Sequence, residues 1–410
     1  MRFGSEPSAM YENAAILAAV VLIYSVVAGR VARSWLSGPM LFVAAGIALG
    51  PLGLGLLRLQ ITATDLRVVA EAALALVLFS DAAHADLKVV RRTVGLPNRL
   101  LLIGLPLTIV LGFVLALGVF PGIDVLTAAL LATLLAPTDA ALGAPVVTNE
   151  SVPADTREAL NLESGLNDGI CVPIVVILLD LALGTQVEHG TMLGVLGIVV
   201  EEIGIGLVAG LVMAGFAVAI LGLAERHGWT SRHWLHIPVV ALAGLCFASA
   251  QAAGGSGFIA CFVGGLLFGG LYRGPKDLLG GASSTGEVLA MLTWIGFGGP
   301  ILGRLLQHVT WPMVCYALLS LTVVRMLPVF LCLLGTRLDT GTRLFIGWFG
   351  PRGLASIVFA VIVFDAGLPG RETVAVTTGI TVLLSVLLHG VTANPFVALL
   401  GRKTAARAPA

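Results

Sequence analysis

Residues 162–168 of this chain read Leu-Glu-Ser-Gly-Leu-Asn-Asp and lie near the start of a strongly apolar run that continues through Leu179. Two carboxylates, a hydroxyl and a carboxamide therefore occur within six residues of a stretch that is otherwise typical of a membrane-spanning helix. Ionisable side chains at the bilayer centre cost about 2.5–3.5 kcal/mol each on insertion scales, and they normally line ion or proton paths. The segment predicts such a path in this chain.

The composition is that of a polytopic membrane protein. Of the 410 residues, 58% are hydrophobic and 11% are charged, whereas soluble domains carry about 25% charged residues. The 23 basic residues balance the 23 acidic ones, so the net charge gives no indication of a nucleic-acid partner. The five cysteines lie in apolar runs without C-x-x-C spacing, which predicts helix packing rather than disulfides or metal ligands.

A spanning helix needs about 20 mainly apolar residues, and a scan on that basis predicts an all-α chain. It gives thirteen candidate transmembrane segments: 13–29, 38–57, 66–85, 99–120, 125–147, 159–183, 192–223, 236–253, 257–272, 284–304, 309–334, 341–367 and 372–400. The histidines that follow the third segment are expected in loops or near span ends.

The basic residues predict the orientation, because Lys and Arg concentrate on the cytoplasmic side. With the N-terminus outside and the C-terminus inside, sixteen basic residues fall in inner segments and five in outer ones. The remaining two, Arg325 and Arg352, lie inside spans. We therefore expect a multi-pass protein of the inner cell membrane, with a short cytoplasmic tail at 401–410 and no soluble regulatory domain.

Two predicted spans contain a helix breaker. Span five carries Pro137, close to Asp139, and span twelve carries Pro351, next to Arg352. Each of these spans is the middle one of a trio. Proline removes an amide donor and clashes with the preceding turn, and such backbone is tolerated at membrane depth only where it is buried or lines a cavity. Paired interruptions in two halves indicate inverted repeats with a transport site at the bilayer midplane.

The polar residues of 162–168 divide by helical face. Residues four apart share a face, so Ser164 and Asp168 are predicted to offer oxygens to one dehydrated cation, while Glu163 and Asn167 brace the helix. Further oxygens come from Thr138 and Asp139 at the first break. A buried carboxylate in this setting can bind a proton or a cation but not readily both, which is the minimal chemistry of an antiporter.

The two intramembrane arginines need counter-charges, because an unpaired buried guanidinium is costly. The candidate anions are Glu71, Asp81, Asp139, Glu163 and Asp168. A Glu163–Arg325 pair would hold span six to span eleven, and Arg352 could offset the partial charges of the broken helix ends. Glu71 is also a candidate for a further cation ligand or a structural acid.

Four motifs, in this order and spacing, carry a family resemblance: PTDAALGAPVV (137–147), LNLESGLNDG (160–169), LTVVRMLPVF (321–330) and GWFGPRGLASIVFA (347–360). The chain resembles the NhaP-type sodium/proton antiporters of the monovalent cation/proton antiporter superfamily over nearly its whole length. That resemblance implies thirteen helices of NhaA-like fold with two broken crossing helices, and a homodimer. It also implies elevator-like movement of a core bundle (99–191 and 309–400) against dimer or scaffold helices (1–98 and 192–304).

The resemblance also implies roles for individual residues. Asp168 matches the titrating, ion-coordinating aspartate, and Thr138, Asp139 and Ser164 match positions of the monovalent cation's shell. The matching supporting residues are Asn167 beside Asp168, the Glu163–Arg325 ion pair, and Arg352 of the twelfth helix, with Pro137 and Pro351 at the breaks.

The function predicted from these observations is exchange of a monovalent cation, with Na⁺ ahead of K⁺ and Li⁺, for H⁺ by a secondary transporter, not an enzyme. No cofactor is expected; lipids and a second copy are the expected partners. Asn167, in place of a second aspartate, favours electroneutral one-for-one exchange. The alternatives are a sodium-coupled solute symporter on the same fold and an intramembrane aspartyl protease built on Asp139 and Asp168.

Overall fold

The computed structural model describes residues 6–31, 34, 36–59, 63–85, 95–139, 142–147, 149–184, 192–229, 231, 234, 236–272 and 277–405. Within these ranges the chain is helical and contains no β-strand. Seven of the described helices are long and apolar enough to cross a membrane, and five shorter apolar helices accompany them. The chain is a multi-pass integral membrane protein. Of the predicted tail, 401–410, residues 401–405 are helical and the rest lies outside the described residues.

The helices of the amino-terminal half follow the predicted segments closely. They are α1 (Glu6–Val31), α2 (Gly38–Leu49), α3 (Ala63–His84), α4 (Gly95–Val119), α5 (Val125–Leu134), α6 (Ala144–Val147), α7 (Ala154–Leu183) and α8 (Met192–Arg226). Asp124 begins α5 by accepting hydrogen bonds from the amides of Leu126 and Thr127, which satisfies two of the free donors at a helix start.

The carboxyl-terminal half contains the remaining helices. They are α9 (Ile237–Ala252), α10 (Gly257–Leu271), α11 (Asp277–Gly296, continued less regularly to His308), α12 (Trp311–Cys332), α13 (Thr340–Trp348), α14 (Leu354–Asp365) and α15 (Arg371–Ala405). A π turn, Ser320–Val324, interrupts α12 directly before Arg325. Pro328 explains the interruption, since it lacks the amide that would bond the Val324 carbonyl.

Both predicted breaks are present. Regular helix stops at Leu134 and resumes at Ala144, and it stops again at Trp348 and resumes at Leu354. The two interrupted segments contact each other in the interior, where the Asp139 amide donates to the Pro351 carbonyl over 2.8 Å. The Ser356 hydroxyl also donates to the Leu134 carbonyl over 2.9 Å. The interruptions therefore meet instead of forming two separate kinks.

Helix α7 lies between the broken segments and a second group of helices. On one side α7 packs against α5, and on the other it packs against α10, which belongs to a cluster with α3, α8, α9 and α11. Gly165 and Gly169 allow the second contact, because a Cβ at either position would collide with Phe262 or Ile259 of α10. Small residues permit such close helix approach in membranes, so the polar segment 162–168 is enclosed on both sides.

Candidate functional site

Asp139 lies in the first break, and its side chain caps the helix that follows the second break. Its carboxylate accepts a 2.9 Å hydrogen bond from the amide of Leu354, the first residue of α14, and a 3.3 Å bond from the amide of Leu142. The amino-terminal end of a helix carries a partial positive charge and unpaired donors, so an anion stabilises it. Asp139 was predicted as a cation ligand; the structure shows that its carboxylate also holds the end of α14.

Arg352 makes the opposite connection. Its side chain is fully buried, and Nη1 donates to the carbonyls of Pro137 and Gly350, both over 3.1 Å. These carbonyls follow the carboxyl-terminal ends of α5 and α13, where the partial charge is negative. Arg352 thus lies where it was expected, at the ends of the broken helices, and each break places a charged side chain on an end of the other.

Helix α7 reaches the first break through Thr138. The Ser164 hydroxyl donates to the Thr138 carbonyl over 2.6 Å, and Asn167 Nδ2 donates to the Thr138 hydroxyl over 2.8 Å. Asn167 was predicted to brace the helix, and the structure places its amide on Thr138 of the first break, the residue that Ser164 also reaches. Residues three apart on a helix are neighbours as much as residues four apart, so Ser164 and Asn167 can contact the same residue.

Asp168 lies one turn beyond Ser164 and is 2% exposed. Its Oδ1 atom has no hydrogen-bond partner among the described residues. The charges of Asp139 and Arg352 are close enough to act on it electrostatically. A buried carboxylate oxygen normally has a hydrogen-bond donor. Oδ1 of Asp168 has none among the described residues, so it can accept a proton or contact a cation.

The predicted brace between α7 and α12 is confirmed. Arg325 Nη1 and Nη2 donate to the two carboxylate oxygens of Glu163 over 2.5 and 2.8 Å, and both side chains are buried. This fork-to-fork geometry is the strong form of a charge-assisted hydrogen bond. The pair fixes the rotation and depth of α7, and with them the position of Asp168.

Glu71 lies outside this cluster, contrary to its prediction as a ligand. Its carboxylate is paired with Arg67, one helical turn earlier on α3, over 2.7 Å. It makes no hydrogen bond to the described residues at the breaks or on α7. The prediction overlooked Arg67, a basic residue four positions away that offers Glu71 a local partner.

The sequence reading missed the polar side chains of α15 that support the second break. Ser385 accepts a 2.7 Å hydrogen bond from the Arg352 amide, and His389 contacts both Ser385 and the Trp348 carbonyl. His389 is buried, so the expectation that such histidines lie in loops or near span ends is wrong for it. The available signal was the spacing of four in Thr377, Thr381, Ser385 and His389, a polar stripe on one face of an apolar helix.

A cavity of about 890 Å³ lies at the amino-terminal end of α7, and residues between 149 and 161 line it. It is lined from one side by α2, α3 and α11, including Asp81 and Glu287, and from the other by α7 and α15. Val147 lines this cavity and also a small one that reaches Thr138, Asp139 and Ser164. The space offers acidic side chains and adjoins the break.

Gly353 allows Asp139 to reach the end of α14, since a Cβ at Gly353 would collide with the Asp139 carboxylate. We expect Gly353→Ala to displace that carboxylate. The buried amide of Leu354 would then lack an acceptor, which lowers the free energy of unfolding by about 1–3 kcal/mol. Thermal unfolding of the purified protein measures the change. Gly118→Ala is the control, because a Cβ at Gly118 meets no atom within 4 Å; equal effects of both variants would contradict the capping role.

Comparison with known proteins places the chain in a family. A family described as "Sodium/hydrogen exchanger, transmembrane" matches residues 16–399. The K(+)/H(+) antiporter NhaP2 of Shewanella sp. (strain ANA-3) is 27% identical over 386 residues, covering 92% of this chain. This chain spans 64% of that relative's length. A probable Na(+)/H(+) antiporter of Schizosaccharomyces pombe is 24% identical over 283 residues, which are 64% of this chain and 36% of that protein.

Among solved structures, the sodium proton antiporter MjNhaP1 from Methanocaldococcus jannaschii at pH 8 has the same fold. The TM-score is 0.76, with 19% sequence identity, over 96% of this chain and 99% of that one. The region that matches the family, residues 16–399, includes both breaks and the buried Asp168. The chain belongs to the transmembrane sodium/hydrogen exchanger family.

Proposed function

We propose that the chain is a secondary active antiporter, not an enzyme, which exchanges a monovalent cation for H⁺ at Asp168. One observation carries the proposal. Asp168 is a buried carboxylate with an unpartnered oxygen, placed within a membrane-spanning helix of this family and beside two broken helices. Such groups within a bilayer are expensive and occur where ions or protons move.

In the proposed cycle, Asp168 binds the proton and the cation in turn. The Ser164 hydroxyl oxygen and the Thr138 backbone and hydroxyl oxygens would supply neutral ligands, since Ser164 lies one turn from Asp168 and donates to the Thr138 carbonyl. Asn167 is not titratable, which supports one-for-one electroneutral exchange. Asp139 is occupied by the amides of Leu354 and Leu142, which supports an indirect role in shaping the site.

We further propose Na⁺ as the preferred cation, with K⁺ as the direct competitor. The family description names sodium, whereas the Shewanella relative is named a K(+)/H(+) antiporter. Cations would enter from the cytoplasm through the cavity lined by Asp81 and Glu287. We also propose that the protein lies in the inner membrane with its N-terminus outside, as the distribution of basic residues predicts.

For alternating access we propose movement of the core bundle, residues 99–191 and 309–400, against the scaffold, residues 1–98 and 192–304, within a homodimer. The cavity lies between helices of both groups, since α3 and α11 line one side and α7 and α15 the other. A boundary that is open on one side can serve as a sliding surface, because fewer packed contacts must be broken there.

A pH-resolved cation screen in proteoliposomes tests the proposal. Purified protein is reconstituted with a pH-sensitive dye inside, and NaCl, KCl, LiCl or choline chloride is added outside at several pH values. We expect saturable proton movement with Na⁺ or K⁺ and none with choline. Proton movement unaffected by a short-circuited membrane potential would support electroneutral exchange. Cation uptake stimulated by an organic solute, without proton movement, would contradict antiport.

A further inference from the structure

His389 connects α15 to the second break through both ring nitrogens. The residue is 1% exposed. Its Nε2 atom lies 2.9 Å from the carbonyl of Trp348, the last residue of α13. Its Nδ1 atom lies 3.2 Å from the Ser385 hydroxyl and 3.0 Å from the Ser385 carbonyl. Each nitrogen therefore has a specific partner in the protein.

The Arg352 amide donates to the Ser385 hydroxyl oxygen over 2.7 Å. A carbonyl only accepts, so a neutral His389 ring donates to the Trp348 carbonyl when its hydrogen lies on Nε2, and to the Ser385 carbonyl when it lies on Nδ1. With the hydrogen on Nε2, the Ser385 hydroxyl donates to Nδ1. A continuous chain then runs from the Arg352 amide through Ser385 and His389 to the Trp348 carbonyl. It joins the two sides of the break.

The break needs such a connection because its backbone has left the helix. The amide of Arg352 is buried, and no helical carbonyl is available to it; an unpaired buried amide costs about 1–3 kcal/mol. Arg352 in turn holds the Pro137 carbonyl, which directly precedes Thr138. A shift of Arg352 would therefore reach Thr138, whose carbonyl accepts from Ser164, one turn from Asp168.

We propose that His389 and Ser385 are positioning residues that hold the second break, and Arg352 in particular, in the place that the cation site requires. The inference rests on the proposed exchange at Asp168. It gives α15 a role in cation affinity, although neither residue contacts Ser164, Thr138 or Asp168. Arg352 and Arg325 are the charged groups that act on His389, and its other neighbours are the aromatic rings of Trp348 and Phe349.

Four variants test the proposal in the proteoliposome assay. His389→Phe and Ser385→Ala remove the chain of hydrogen bonds, and His389→Gln retains a donor for the Trp348 carbonyl. Thr392→Val is the matched control, because it removes another hydrogen bond between the same two helices, Trp348 Nε1 to Thr392 over 2.9 Å, without touching Arg352.

We expect His389→Phe and Ser385→Ala each to raise the half-saturating cation concentration at least about tenfold, which corresponds to about 1.4 kcal/mol of binding free energy. We expect the double variant, His389→Phe with Ser385→Ala, to be no worse than either single variant, since the two residues act in one chain. His389→Gln recovers part of the affinity, and Thr392→Val leaves it unchanged. A loss of maximum rate without a change in half-saturation would mean a purely structural role and would overturn the proposal.

Hydrogen exchange of the purified proteins separates this inference from the proposed function. If the wild type moved no protons with any cation, the function would be wrong, but residues 349–354 could still be measured. Faster amide exchange there in His389→Phe and Ser385→Ala, and not in Thr392→Val, supports the positioning of the break. Equal protection in all variants overturns it. Should His389→Phe fail to fold, Ser385→Ala and His389→Gln still decide between these outcomes.

Discussion

Asp168→Asn is expected to reduce cation-driven proton movement to the level of empty liposomes. The substitution keeps the size of the side chain but removes the charge that we propose exchanges a proton for a cation. Asp168 is buried and Oδ1 has no partner among the described residues, so the amide nitrogen can take the place of Oδ1 without breaking a hydrogen bond there. The variant should therefore fold and still fail to transport.

The measurement is dye-reported proton flux after addition of Na⁺ or K⁺, at matched protein content. Glu201→Gln is the control, because it makes the same acid-to-amide change at an exposed position of α8. Flux in Asp168→Asn comparable to that of the control would exclude Asp168 as the exchanging group, and the carboxylate of Asp139 would then have to be reconsidered.

The buried pair of Glu163 and Arg325 gives the largest expected effect on stability. Arg325→Met leaves an uncompensated carboxylate in the interior, which we expect to cost about 3–5 kcal/mol in the free energy of unfolding. Replacing both partners, as in Glu163→Leu with Arg325→Met, should recover most of the loss, because neither buried charge remains. Thermal unfolding of the wild type, both single variants and the double variant gives the coupling energy directly.

The pair of Arg67 and Glu71 is the matched control for that cycle. Its side chains are 37% and 17% exposed, and pairs of this kind contribute about 0–1 kcal/mol. Arg67→Met should therefore shift the unfolding midpoint little. If Arg325→Met unfolds at the same temperature as Arg67→Met, the buried pair does not hold α7 to α12.

The sequence predicted those parts of the site that need charge inside the membrane. A buried carboxylate or guanidinium has few possible partners, so Glu163 could be matched to Arg325, and Arg352 to the helix ends, before any coordinates. Glu71 was misassigned as a ligand because its local partner was overlooked: Arg67 lies one turn earlier in α3 and pairs with it.

Neutral polar residues were harder to place. Asn167 and Glu163 share a helical face, yet Asn167 turns to Thr138 because the first break brings a hydroxyl within its reach. Ser385 and His389 carry no obligatory charge, and their partners are backbone amides and carbonyls that only the break exposes. A helical pattern states which residues lie together, but not which backbone groups have become free on another helix.

The reciprocal caps of Asp139 and Arg352 have a consequence for coupling. The helix ends offset their charges, so under the proposed exchange the net charge of this region changes when Asp168 gains or loses its occupant. With Asp168 as the exchanging group, the proton-loaded and cation-loaded forms carry equal charge, and the form with neither carries one more negative charge. Bringing an uncompensated charge through a region of low dielectric costs several kcal/mol. The unloaded carrier is therefore the one that does not cross, and this is the difference between obligatory exchange and a leak.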